Sequence, residues 1–348
     1  MWTIIHFIHN FGLIELFLLF FVLVNVVTFS LYFIDKRRAV KNQHRIGERT
    51  LVFFTIFFGG LGAAAGMFLF RHKTQKVKFK IIVAIGVVIA LIPAIHIGNG
   101  LTFGRIIRYV EIDFHADNWP AELDGYRIAF MTDFHTITDE DMANVVAELN
   151  RRNIDLLLLG GDFSDDVFQG GTHYRGTIRE ISRAITTDGI FGVEGNHDYY
   201  PKLRAAKSYY GIGFLDNSGL QIRDDFSLAG VRDFSFGHTD VERALSYINR
   251  DDFVLLVTHH PDVAMSQSSP DIDLYLAGHM HGGQITIFGF PIFLLLGTNS
   301  NYGLRFAYGF NYSAHDNPVF TSRGVGPYYN WPRIFAQPEV VIFTMYSR

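Results

Sequence analysis

The 348-residue chain contains no cysteine. That absence excludes disulfides and thiolate metal ligands, and it leaves the compartment open, because a chain without thiols tolerates reducing and oxidising surroundings alike. The chain also lacks a strong charge of either sign. A formal net charge of −4, from 30 Lys and Arg against 34 Asp and Glu, gives no basic footprint for extended nucleic-acid binding, so no nucleic-acid partner is expected. Apolar runs of membrane-spanning length are missing beyond about residue 100. Neither collagen-like nor disordered composition fits, since hydrophobic residues make up 49% of the sequence. That is enough for one good-sized core and a membrane segment.

The first hundred residues hold three apolar stretches, at about 11–34, 51–70 and 79–98. Each is near the ~20 residues an α-helix needs to cross a bilayer. The first, "FGLIELFLLFFVLVNVVTFSLYFI", is too long and too poorly flanked for a cleaved signal peptide. Glu15, near its start, reads as a carboxylate at headgroup level. The two connecting loops, "DKRRAVKNQHRIGER" and "RHKTQKVKFK", carry six and five Lys and Arg, and two more (Arg105, Arg108) follow the third stretch. Cytoplasmic loops collect such residues. Three full spans would put the loops on opposite faces, eight cations against five; a re-entrant middle stretch would split them eleven against two. The middle stretch, "LVFFTIFFGGLGAAAGMFLF", has a glycine-rich centre where a helix can turn back if protein covers the freed backbone. The expectation is a helical membrane domain over 1–100 with two true spans, 51–70 being spanning or re-entrant, and a downstream domain over 101–348 outside the cytoplasm. A cytoplasmic domain is the alternative.

From about residue 101 short apolar runs alternate with charged, helix-like segments, the rhythm of an α/β domain. "YRIAFMT" runs into Asp133 and His135; "IDLLLLGG" into Asp162, with Asp165 three further on; "GIFGVEG" into Asn196, His197 and Asp198. "DFVLLVT" runs into His259 and His260, and "IDLYLAG" into His279 and His281. Such runs read as buried strands, and ligand sites of α/β sheets gather beyond the carboxyl ends of strands. "TITDEDMANVVAELNRR" places Met142, Val145, Val146 and Leu149 on one helical face with Thr138 as N-cap. "TIREISRAI" repeats the spacing with Ile178, Ile181 and Ile185. In an extended "GHMH" segment the two histidines would leave on the same side.

Each motif alone also describes a solvated turn or a satisfied structural histidine. The joint occurrence, each after an apolar run, points elsewhere. Asp, His and Asn offer hard oxygens and imidazole nitrogens, the donor set for divalent metals such as Mn, Fe or Zn. Two nearby cations repel, so a bridging carboxylate is needed.

The ordered blocks D-x-H, G-D-x-x-D, G-N-H-D, H-x-P and G-H-x-H resemble the calcineurin-like metallophosphoesterase superfamily over about residues 120–348. "GHMHGGQ", "SRGVG" and "PEVVIF" resemble its membrane-associated bacterial branch, which includes hydrolases of UDP-2,3-diacylglucosamine. "DKRRA", "GGLGA" and "MFLFRHKTQK" resemble a family of small, uncharacterised bacterial membrane proteins, which implies no activity. The first resemblance implies a four-layer α/β/β/α sandwich, here preceded by the transmembrane region. It implies two divalent metal ions, one held by Asp133, His135, Asp162 and His281 and the other by Asp162, Asn196, His259 and His279. His259 is preferred to His260 because it precedes Pro261 by two residues. His197 would protonate the leaving oxygen or stabilise transition-state charge, and Asp198 would orient its ring. Asp165 would be structural or would support a ligand. The family's Leu-Gly after the first block is missing, for "DFH" continues into "TIT", which bears on the pocket wall.

The implied activity is hydrolysis of a phosphoester or pyrophosphate bond in a phosphorylated small-molecule or lipid-linked substrate, with membrane lipid as a second partner. Soluble nucleotides, phosphodiesters or phosphoproteins are alternative substrates, and a metal-binding sensor or scaffold is the non-enzymatic alternative. No Lys, Arg, Asp or Glu occurs from Gly282 until Arg305. This apolar segment reads as a buried strand pair or as a lip for acyl chains, and the paired glycines would let it pass close to the metals.

Overall fold

The computed structural model describes residues 13–164, 173–198, 203, 209–291, 300–328 and 331–348. The chain divides into two compact units, Met1–Asn99 and Gly100–Arg348. Asp165, the apolar residues 292–296 and the start of the first apolar stretch lie outside the described residues, as does the side chain of Glu15.

Unit 1 is helical: α1 (Leu13–Val40), α2 (Glu48–Ile56), α3 (Gly60–Leu69) and α4 (Val77–Leu101). Leu16–Val40 and Val77–Arg105 are long and apolar enough to cross a membrane. The first helix runs past the apolar stretch through Asp35 and Arg38 before it ends. The middle stretch is not one helix. Its two helices have 9 and 10 residues, about 15 Å each at 1.5 Å per residue, or half of a ~30 Å hydrocarbon core. The break falls at Phe57–Gly59, where Phe58 takes a φ of 60°. Asn25 of α1 closes it: its Nδ2 donates to the Phe58 carbonyl (2.9 Å) and its Oδ1 accepts from the Gly62 amide (2.8 Å). The backbone groups freed at the break thus find protein partners, as an apolar surrounding would require. A Cβ at Gly60 would collide with the Gly86 carbonyl of α4, so only glycine lets these backbones touch.

The loops flanking this helix pair meet. Asp35, fully buried, accepts from Arg45 Nη2 (2.8 Å), the Ile46 amide (2.9 Å) and His72 Nε2 (2.7 Å). Glu48 accepts from Lys73 (2.9 Å) and Lys76 (2.7 Å). Both basic loops therefore lie at the same end of unit 1.

Among the described residues, unit 2 contains two six-stranded mixed sheets. The first has the order β1 (Arg108–Ala116), β12 (Glu339–Ser347), β2 (Tyr126–Met131), β3 (Leu156–Leu159), β4 (Ile190–Gly192), β5 (Gly213–Phe214). The second has the order β10 (Gly309–Tyr312), β11 (Pro318–Thr321), β9 (Leu274–Ala277), β8 (Phe253–Val257), β7 (Phe226–Gly230), β6 (Ser218–Arg223). Alternation along each strand divides the apolar side chains among three cores. Ile128, Phe130, Leu156 and Leu158 of the first sheet pack against Leu228, Leu255 and Leu276 of the second. Ala129, Met131, Leu157 and Leu159 face α5 (Asp139–Leu149) and α6 (His173–Ile181). Ala229, Val254, Leu256 and Tyr275 face short helices over Val241–Leu245 and Val263–Ser266. This is the layering α, β, β, α of a metallophosphoesterase fold. With both faces covered, the central strands read as continuous apolar runs rather than alternating ones.

Thr138 caps α5 through the Asp141 amide (3.0 Å), and Met142, Val145, Val146 and Leu149 are buried as their spacing predicts. The second helix differs from expectation. It ends at Ile181, and Ile185 is 73% exposed. Asn150 causes this: its side chain donates to the Arg183 carbonyl and accepts from the Ile185 amide, taking the groups that further helix would need.

Candidate metal centre

The central strands β2, β3 and β4 run parallel in the first sheet, as do β7, β8, β9 and β11 in the second. Their carboxyl ends deliver Asp133 and His135 (β2), Asp162 (β3), Asn196–Asp198 (β4), His259 (β8), and His279 and His281 (β9) to one place. Asp133, Asp162, His259 and His281 are buried under less than a tenth exposure. Close approach needs glycine before the ligand: a Cβ on Gly278 would lie 2.5 Å from Asp133 Oδ2.

The donor atoms form two sets. In the first, His281 Nε2 lies 3.2 Å from Asp133 Oδ1 and 2.9 Å from His135 Nε2, which is 3.5 Å from Asp162 Oδ2. In the second, His259 Nε2 lies 3.1 Å from the same Asp162 Oδ2 and 3.1 Å from Asn196 Oδ1, which is 2.9 Å from His279 Nδ1. One oxygen of Asp162 borders both sets; its other oxygen accepts from the His197 amide (2.8 Å). Donors about 3 Å apart are spaced like neighbours around one ion with bonds of ~2.0–2.2 Å. The residues fit divalent metal, and Asp133, His135 and His281, or Asp133, Asp162 and His259, are close enough to hold an ion.

Hydrogen bonds fix the rings. His259 donates from Nδ1 to the Gly160 carbonyl (2.7 Å), which turns Nε2 toward the site. Burial opposes the charge of both partners in the Asp162–His259 pair, but their mutual attraction wins: Asp162 is held below the ordinary carboxylate range and His259 is raised well above a free histidine. Burial likewise works against the Asp133 carboxylate, yet the neighbouring His281 keeps it low. Burial takes His281 down to about 4 and pulls His279 well below its ordinary value, the latter helped by His260 and His259.

Several expectations need correction. The "GHMH" segment is not extended: His279 and His281 have φ of 70° and 51°, and their rings serve different donor sets. The paired glycines do not face the donors, for a Cβ on Gly282 would meet Arg323 and one on Gly283 would meet Pro291. Asp198 is not aimed at the His197 ring. Its carboxylate accepts from the amides of Asp162 (2.7 Å), Phe163 (2.9 Å) and Gly195 (2.9 Å), and so ties the β3 and β4 loops together. His260 stacks on His279 at 4.3 Å between ring centroids.

His197 is half-buried, its ring 5.3 Å from those of His135 and Tyr328. Three residues at the site escaped the sequence reading. Tyr328 stands over the first donor set, 5.2 Å from His135 and 5.8 Å from His281. Arg333 is 1% exposed, and its Nη2 donates to His281 Nδ1 (3.1 Å) while Nε donates to the Gly326 carbonyl (3.0 Å). Burial pushes its guanidinium down to about 10. Asp233, fully buried, follows β7; the run "FSLAGVRD" ends like the other five and could have been read as a sixth.

A two-sheet sandwich with Asp, His and Asn donors gathered at its strand ends is an arrangement suited to divalent metal. Residues 126–283 match the family described as calcineurin-like phosphoesterase. Residues 25–79 match a family described as protein of unknown function DUF1294. The uncharacterized metallophosphoesterase YkuE of Bacillus subtilis is 28% identical over 279 residues, covering 73% of this chain and 92% of its own. An uncharacterized metallophosphoesterase of Helicobacter pylori is 27% identical, covering 79% and 72%. A Danio rerio relative named transmembrane protein with metallophosphoesterase domain is 26% identical over 320 residues, covering 83% and 69%.

Proposed function

We propose that the protein is a membrane-anchored, two-metal phosphoesterase that hydrolyses a phosphoester or pyrophosphate bond on the outer side of the membrane, in a lipid-linked substrate. The observation that carries the dinuclear reading is the position of Asp162 Oδ2, 3.5 Å from His135 Nε2 and 3.1 Å from His259 Nε2. A carboxylate oxygen between two donor sets is the placement that bridging requires. Asp133, His135 and His281 would complete one site, and Asn196, His259 and His279 the other. Two divalent cations, when bound, supply charge against a phosphoryl oxygen and lower the pKa of a water toward ~7.

The chain's own groups do the rest. His197 sits at the rim of the donor sets and protonates the leaving oxygen. The Asp198 carboxylate, bound to three amides, holds the loops that present Asp162 and Asn196. Tyr328 walls the site beside His197.

The lipid-linked reading is supported by the segment after His281. Ile287 and Phe290 bridge across a turn at Phe288–Gly289, and Ile287, Phe288 and Phe290 are 45%, 57% and 53% exposed. An exposed apolar tip close in sequence to a metal ligand suits acyl chains better than a buried strand pair does. The test is turnover of a chromogenic phosphodiester and of nucleotide-linked lipids by the full chain with Mn²⁺, with metal content measured in parallel. Two metals per chain and faster turnover of the lipid-linked substrate are expected. Bound metal without turnover of any phosphoester would assign the domain to sensing instead.

A further inference from the structure

The catalytic reading makes no use of the charge on unit 1. From Asp35 to Lys80 the chain carries eleven Lys and Arg and two acids. Both acids are already engaged: Asp35 with Arg45, His72 and Lys73, Glu48 with Lys73 and Lys76. These pairs clamp the two loops together, and they leave most of the cations over. Arg37 and Arg38 in the last turn of α1, Lys41 just beyond it, Arg71 after α3, and Lys78 and Lys80 in the first turn of α4 are exposed, and no ion pair with them occurs among the described residues.

Uncompensated charge of one sign, held on one end by the ion pairs of Asp35 and Glu48, repels itself and is favoured where an anion answers it. The neighbouring surface says which anion. Leu19, Leu23 and Val26 of α1 are 58%, 58% and 55% exposed, and Val88 of α4 is 61% exposed, on helices apolar enough to lie in a bilayer. At the end of such helices the cations stand at the level of lipid phosphates, where each Lys or Arg adds to the attraction for anionic headgroups.

We propose that the two loops form one composite surface that binds anionic phospholipid headgroups, with the Asp35 and Glu48 ion pairs setting its shape. The inference rests on the membrane reading of unit 1 and not on the chemistry of unit 2.

The experiment measures equilibrium binding of fluorescent phosphatidylglycerol and phosphatidylcholine to the full chain in neutral detergent micelles, followed by anisotropy. At low salt the anionic lipid should bind at least about tenfold more tightly, with the preference shrinking as salt rises. The triple variants R37Q/R38Q/K41Q and R71Q/K78Q/K80Q should each remove most of it, whereas the charge-preserving R37K/R38K/K41R should keep it. Thermal unfolding checks that all three fold. Equal binding of the two lipids overturns the proposal, and so does a preference that survives either glutamine triple. Displacement by inorganic phosphate as potent as by phosphatidylglycerol would also overturn it, because the surface would then be a soluble-anion site.

Discussion

Asp133, His135, Asp162, His279 and His281 all hold positive φ, between 43° and 70°. For residues with a Cβ such conformations cost roughly 1–3 kcal/mol each, and they persist where the surroundings over-determine them. Their clustering on the donor residues is an independent mark of a functional site. Asp162 is the residue on which the dinuclear reading depends. Asp162→Asn should cost more turnover and more bound metal than loss of any one terminal ligand, since it weakens both sets; a variant with two metals and near-normal rate would sink the assignment. His197→Ala should keep its metals and lose about 10²–10⁴-fold in rate, the usual range for a general acid. The candidate ligands could be picked out in the sequence because each directly follows an apolar run. Arg333 could not. Its partners His281, Gly326 and Arg323 are brought to it only by the fold, and nothing in "NWPRIF" sets it apart from a surface arginine. Arg333→Leu would leave the Gly326 carbonyl without its donor and release the His281 ring. It should lower metal affinity about 10- to 100-fold, measured by metal titration, and Arg333→Lys should rescue this poorly because lysine lacks the planar fork.

At the scale of elements, the strands were plain in the sequence because burial on both faces leaves unbroken apolar runs, and α5 because its stripe and cap agree. What periodicity could not supply was where backbone groups find other partners. Asn150 ends α6 early, and Asn25 satisfies the break between α2 and α3, each from a distant part of the chain. The loop after β9 shows the same limit: an apolar segment reads alike as strand or lip until its exposure is known. With Ile287, Phe288 and Phe290 exposed, changing Phe288 and Phe290 to Ser should leave stability nearly unchanged. It should raise KM for an acylated substrate several-fold and spare a small water-soluble diester. Equal losses on both substrates would show that the tip shapes the site itself and would remove the lipid reading.

For the molecule as a whole the open quantity is sidedness. The charge count distinguishes two arrangements only if the two basic loops share a face, and sequence cannot say whether 51–70 turns back. The ion pairs from Asp35 and Glu48 to residues 72–76 join those loops at one end of unit 1, and α2 and α3 are each about half a bilayer long. A full span between loops so joined would have to cover the hydrocarbon core and return in twenty residues of broken helix. Cytoplasmic loops collect Lys and Arg, and the proposal that unit 2 lies outside the cytoplasm rests on eleven cations on one face against two beyond α4. A reporter fused after Arg348 that functions only in the cytoplasm should therefore be silent, while one that requires export should be active. The same reporter placed after Gln75 must give the reverse result. Cytoplasmic signal from Arg348 together with exported signal from Gln75 would mean the opposite orientation, and the substrate would then have to be sought among cytoplasmic phosphoesters.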